Sequence, residues 1–152
     1  MKKIMFVCHG NICRSPMAEF LFRDKIEKIG LSEELTVSSS GTSSEEEGNP
    51  VYPPIRRILA KEGIDCSGKY ASVLTRSDYE RYDMFIAMDS YNLRNIMRIF
   101  GSDPEGKVSK ILDFTEEGGD VADPYYYGNY DKTYADICRG IEGLVLALKT
   151  QI

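Results

Sequence analysis

Cys8 and Arg14 are the residues whose types and spacing could do chemistry. In Cys8-His9-Gly10-Asn11-Ile12-Cys13-Arg14-Ser15, a soft nucleophile precedes by six positions a planar cation that can grip two phosphate oxygens at once. Gly10 and Asn11 both tolerate the positive φ angles of a tight loop. Such a loop, running into a helix start, gathers backbone N–H groups around one point, and a nest of that kind binds oxyanions. The helix dipole, the N–H groups and Arg14 would stabilise a Cys8 thiolate, the form that attacks. Ser15 is placed to donate a hydrogen bond to the sulfur, aiding thiolate formation and later departure. The bland alternative is a buried structural cysteine beside a surface arginine. The strand before the loop and the Ser-Pro helix start after it weigh against that alternative.

The surrounding elements support this placement. Ile4 to Val7 is an unbroken apolar run of strand length, suited to burial on both faces. Ser15 serves as N-cap and Pro16 as first residue of a helix that Gly30 ends. Ala18, Phe22, Ile26 and Ile29 share one face of it. Further strands are expected at Leu35–Ser38, Asp83–Ala87 and Val108–Leu112. Helices are expected at Ile55–Lys61, Tyr91–Phe100 and from Tyr134 to Leu148. Residues 39–54 and 116–129 read as loops. The alternation predicts an α/β fold: a doubly wound four-stranded parallel sheet with helices on both faces and the phosphate-binding loop after the first strand. Ligands of such sheets bind at the carboxyl ends of the strands, where Cys8 stands.

The totals bound the class of partner. The 152 residues suit one domain, 1–152, with a core large enough to need no staple. A net charge of −5 disfavours nucleic-acid binding but leaves room for one small anion site. No apolar run is long enough to cross a membrane, and the stretch before Cys8 is too short for a signal-peptide core. Cys8, Cys13, Cys66 and Cys138 form no CxxC pair, and His9 is the only histidine, so neither a disulfide framework nor a zinc site is expected. Reduced thiols in the cytoplasm are the default. No cofactor or metal is implied, because Arg14 and the N–H nest supply the charge stabilisation.

Val7-Cys8-His9-Gly10-Asn11-Ile12-Cys13-Arg14-Ser15-Pro16 resembles the phosphate-binding loop of the low-molecular-weight protein tyrosine phosphatases. Ser40-Gly41-Thr42, Met88-Asp89 with Asn92-Leu93, and Asp123-Pro124-Tyr125-Tyr126 resemble further stretches of that family, in the same order along essentially the whole chain. The resemblance implies hydrolysis of phosphotyrosine through a phosphocysteine intermediate. Cys8 would be the nucleophile and Arg14 the phosphate clamp. Asp123 would be the general acid, then the base toward water. Alone, Asp123-Pro124 reads as an ordinary turn; beside the Cys8 loop it reads as an aimed acid. The substrate site would comprise His9, Gly10, Asn11, Ile12, Cys13, Ser15, Tyr125 and Tyr126, with His9 a variable loop position. Tyr127 reads as loop packing. Asn11, Ser15 and Ser40 would support the loop. Cys13 would form a reversible disulfide with Cys8, shielding it from irreversible oxidation. A plain buried cysteine is the other reading of Cys13. The implied partners are a phosphotyrosine-containing protein or peptide, and phosphate or other oxyanions as product-like ligands.

The chain departs from the family in three places. It has no Trp to wall the pocket; its loop instead reads Ser43-Ser44-Glu45-Glu46-Glu47-Gly48-Asn49, an acidic rim that would repel acidic peptides. Tyr52 is a substitute wall. The family's His-x-Ala-Arg appears as Lys69-Tyr70-Ala71-Ser72, so the loop-supporting His is missing. The tyrosine run has three members, not two. Rival readings are a phosphoarginine phosphatase, an arsenate reductase of the same fold and a phosphopeptide-binding module. The reductase lacks its two further cysteines, since none lies between Tyr79 and Asp113. The module would not need Cys8, Arg14, Ser15 and Asp123 together.

Overall fold

The fold is described from a computed structural model covering residues 1–151, the side chains of Tyr126 and Tyr127 excepted. Four parallel strands lie in the order β2-β1-β3-β4. They are β1 (Lys2–Cys8), β2 (Leu35–Gly41), β3 (Met84–Ala87) and β4 (Val108–Lys110). Strand β1 is central, pairing Cys8 with Gly41 of β2 and Val7 with Ala87 of β3. Its alternate residues enter different cores: Ile4, Phe6 and Cys8 one, Met5 and Val7 the other. This double burial is why the run is apolar without alternation.

On the first face pack α1 (Arg14–Lys28), α2 (Pro53–Lys61) and α6 (Tyr130–Lys149), through Phe22, Ile55, Leu59, Ile137 and Leu144. The second face holds α3 (Asp78–Arg81) and α4 (Ser90–Phe100), through Tyr79, Ile96 and Phe100. A short α5 (Pro124–Tyr127) lies in the stretch expected to be loop. The connections after β1 and after β3 leave in opposite directions, to β2 and to β4. The switch point, where doubly wound sheets bind ligands, is therefore at the carboxyl ends of β1 and β3.

Several boundaries move. The expected fourth strand stops at Lys110, and Ile111–Phe114 turns into a 3-10 helix. Helix α6 begins at Tyr130, because Asn129 accepts from Lys132 N–H and caps it. Helix α3 has too few residues to show a period. Ser15 is not the N-cap of α1: the cap position is Cys13, with no side-chain cap bond, and Ser15 lies within the first turn. Its hydroxyl is drawn inward to other partners.

Candidate active site

Strand β1 delivers Cys8 to the switch point, and residues 9–13 carry the chain round into α1. Asn11 is the one non-glycine among the described residues with a positive φ, at 59°. Gly10 is not in that region; its lack of a Cβ matters because one would lie 3.2 Å from Glu46 Cγ. At Gly41 a Cβ would sit 2.6 Å from the His9 carbonyl oxygen, so glycine there lets the loop lie against β2. Outer backbone bonds fix the loop: Thr42 N–H to Cys8 O, Ser43 N–H to His9 O and Tyr52 N–H to Ile12 O, at 2.9–3.0 Å. Among the described residues no acceptor takes the backbone N–H of any residue from His9 through Ser15. That is the arrangement an oxyanion completes.

Cys8 is buried, and its Sγ lies 3.0 Å from Ser15 Oγ. Asn11 Nδ2 donates to Ser15 Oγ at 2.7 Å and to Ser39 Oγ at 2.9 Å. Its Oδ1 accepts from Ser72 N–H at 3.0 Å, which fixes the amide's orientation. Ser40, expected to support the loop, instead donates its hydroxyl to Met5 Sδ. Ser39 supplies the support, because neighbouring strand residues face opposite sides of the sheet. Asn11 and Ser15 were also expected among the substrate contacts. Their side chains lie behind the loop, leaving their backbone N–H groups for an anion.

Arg14 is almost fully buried. Its Nη1 donates to Asp89 Oδ2 and to Val121 O, both at 2.7 Å. Nη2 makes only a long 3.5 Å contact with Asp123 Oδ2, and Nε has no partner among the described residues. One edge of the guanidinium is thus anchored and the other is left for phosphate oxygens. Burial works against the charged guanidinium, yet Cys8, Asp89 and Asp123 together raise its pKa above the ordinary arginine range. Asp89 also caps α4, accepting Asn92 N–H at 2.7 Å. Sequence reasoning gave Asp89 no role, although Met88-Asp89 was singled out as a motif. An acidic residue just past a strand's carboxyl end was the available signal.

Asp123 approaches from the opposite wall. Its Oδ1 accepts Tyr125 N–H at 3.0 Å, turning the chain into α5. The loop is tied down by Val121 N–H to Met88 O and by Thr133 Oγ1 to Ala122 O. One cavity is lined by Cys8, Ile12, Cys13 and Arg14, by Asp123 and Tyr125, and by His9, Gly10, Glu45 and Glu46. Glu47 does not line it. Tyr52 meets Tyr125 edge-on, with ring centroids 5.5 Å apart, so it backs the wall. The side chains of Tyr126 and Tyr127 lie outside the described residues. Cys13 is a free, buried thiol whose pKa is raised by burial, then by Cys8 and Asp123. His9 Nε2 faces Glu45 at 3.5 Å.

Residues 3–152 match the family model described as low molecular weight phosphotyrosine protein phosphatase. The chain belongs to this family. It is 36% identical over 153 residues to the low molecular weight protein-tyrosine-phosphatase YfkJ of Bacillus subtilis, covering 99% of this chain and 98% of that one. It is 42% identical over 133 residues to the low molecular weight phosphotyrosine protein phosphatase of Schizosaccharomyces pombe, covering 84% and 83%. The crystal structure of YfkJ superposes with a TM-score of 0.96, covering 99% of this chain and 96% of that one. The arginine phosphatase YwlE, as a mutant with a phosphorylated active-site serine, is 30% identical with a TM-score of 0.84, covering 97% and 95%. The family is one of hydrolases, and the fold expected from the strand–helix alternation is the one found.

Proposed function

We propose that this protein, acting as a single catalytic domain over 1–152, hydrolyses phosphotyrosine in proteins or peptides through a phosphocysteine intermediate. One observation carries the reading: Cys8, the loop of unclaimed N–H groups, the free edge of Arg14 and the Asp123 carboxyl meet in one cavity. The Cys8 thiolate attacks phosphorus while the N–H groups and Arg14 hold the three peripheral oxygens. The bond from phosphorus to the phenolic oxygen breaks, and protonated Asp123 gives its proton to that oxygen. Asp123, now a carboxylate, takes a proton from water. The water oxygen attacks phosphorus, the P–S bond breaks, and inorganic phosphate leaves. Ser15 stabilises the departing sulfur.

Ile12 and Tyr125 offer apolar flanks for a phenyl ring. Glu45 and Glu46 at the mouth favour phosphotyrosines beside basic residues over those in acidic peptides. On this reading Cys13, which lines the same cavity, traps an oxidised Cys8 as a disulfide. Four free thiols suit a cytoplasmic location. The test is hydrolysis of an aryl phosphate, then of phosphotyrosine and phosphoarginine peptides of one sequence. Preference for the phosphotyrosine peptide is expected. Faster cleavage of phosphoarginine would move the substrate assignment, and full activity in Cys8→Ser would overturn the mechanism.

A further inference from the structure

Behind the phosphate loop lies a buried cation that the reaction steps above do not use. Lys69 belongs to a segment running beside the end of β2, where Gly41 N–H donates to Ser72 O and Gly41 bridges to Val73. Its side chain is only 14% exposed. The Nζ donates to Ser39 O at 3.0 Å and lies 3.8 Å from Glu19 Oε1. Glu19, on α1, is itself buried; its Oε1 accepts the Ser39 hydroxyl at 2.6 Å and its Oε2 accepts Arg23 Nη2 at 2.6 Å.

Hydrogen-bond direction can be followed from here to the sulfur. The Ser39 hydroxyl donates to Glu19 Oε1. Ser39 Oγ is then free to accept from Asn11. The Asn11 amide, fixed by Ser72 N–H on its oxygen, has two N–H groups and gives them to Ser39 and Ser15. Ser15 Oγ thus accepts from behind and has one hydrogen left. Its nearest acceptors are Cys8 Sγ at 3.0 Å and Ser40 O at 3.4 Å. The sulfur is the nearer of the two, and as a thiolate it can only accept.

We propose that Lys69 is a positioning residue for this reaction: with Arg23 it anchors the Glu19 carboxyl, pins the Ser39 carbonyl, and so fixes the Asn11–Ser15 pair that faces Cys8. The proposal rests on the phosphocysteine reading above. The groups facing Lys69 are Glu19 and Arg23 from α1, Ser39 O from β2, and the charge of Cys8 at the end of β1. Burial lowers the Lys69 pKa from the ordinary lysine range, while Glu19 and Cys8 act to raise it. Where the family has His-x-Ala-Arg, this chain uses a lysine side chain and the Ser72 backbone.

Lys69→Met keeps the apolar stem and removes the charge; Lys69→Arg keeps the charge. In the full chain, Lys69→Met should lower kcat for an aryl phosphate about tenfold, the scale of one charge-assisted hydrogen bond, with little change in KM. Iodoacetamide alkylation of Cys8 at about pH 6, below the ordinary cysteine range, should slow severalfold. Lys69→Arg should restore both to within about threefold of native, a residual of under 1 kcal/mol. If Lys69→Met does not fold, Lys69→Gln replaces it in each measurement. Native kcat and alkylation in the uncharged variant overturn the proposal. So does a loss that tracks a lower Tm and is not recovered by Lys69→Arg. Alkylation needs no substrate. A native protein that fails to cleave aryl phosphate would count against the phosphatase reading and leave the alkylation arm intact.

Discussion

Two polar networks flank the sheet, one buried and one half-buried, and they differ in whether they close. On the second face, Asp103 accepts the Tyr79 hydroxyl at 2.7 Å and Lys107 N–H at 2.8 Å on one oxygen, and Val108 N–H at 3.0 Å on the other. Tyr79 OH accepts Glu105 N–H at 2.9 Å, and Lys107 Nζ donates to Tyr79 O at 2.6 Å. The principal donors and acceptors of this knot meet one another, and it ties α3 to the approach of β4. At the phosphate loop the support is just as dense behind Asn11 and beside Arg14. Its front is open: backbone N–H groups, Arg14 Nε and Cys8 Sγ face a cavity. Closed networks stabilise; a network closed behind and open in front binds and reacts.

Removing the open network's nucleophile should give the largest effect. Cys8→Ser is expected to reduce aryl phosphate hydrolysis to background while circular dichroism stays native. Asp123→Ala should lower kcat by about 10²–10⁴-fold, the range for a lost general acid, with phosphate still bound in a calorimetric titration. Asp89→Asn tests whether the anchored edge of Arg14 matters to the free one. It should cost about 10–100-fold in kcat/KM, matching the about 1.5–3 kcal/mol of a hydrogen bond to a charged group.

The closed knot should respond in the opposite sense. Asp103→Ala should leave kcat native and lower Tm by about 3–10 °C, from about 1–3 kcal/mol of unsatisfied donors. Burial alone would raise the Asp103 pKa. The hydrogen bonds from Tyr79, Lys107 and Val108, with the Lys107 charge, outweigh it and hold the carboxyl below the usual range. A depressed folded value means that this contribution is complete above the unfolded pKa of about 3.9 and is lost as pH falls through the folded one. Acid titration of Tm should therefore be flatter in Asp103→Ala than in the native protein. A matching loss of kcat in that variant would break the contrast. The smallest effect belongs to the rim. Combined Glu45→Gln and Glu46→Gln should shift the preference for basic over acidic phosphotyrosine peptides by about two- to fivefold, fading in salt, as exposed pairs of about 0.2–1 kcal/mol do.

Much of the loop was legible. Cys8, Arg14, Gly10, Asn11 and Ser15 are local in sequence, and the apolar run before them fits a strand buried on both faces. The partners of those residues were harder to read. Asp89 and Val121 meet Arg14 across 75 and 107 positions, and Ser72 meets Asn11 across 61. Such pairings follow from sheet order and register, to which local periodicity is blind. Ser40 was expected where Ser39 serves, because a one-residue step on a strand reverses the face and the motif alone did not give the register. Ser15 was read both as an N-cap and as a partner of Cys8; the sulfur contact forms and the cap does not, because Ser15 lies within the first turn with its hydroxyl turned inward.

By itself, the sequence determined a nucleophile, a cation six residues on and a backbone able to make the tight turn between them, all consequences of local chemistry. The tertiary structure decided which edge of Arg14 is held and which is left open. It also set the direction of the bonds behind Cys8 and brought the Asp123 carboxyl into the same cavity. Those depend on side chains from β2, the start of α4, α1 and the loop before α5 converging on one strand end, and only the packed sheet brings them within hydrogen-bond reach.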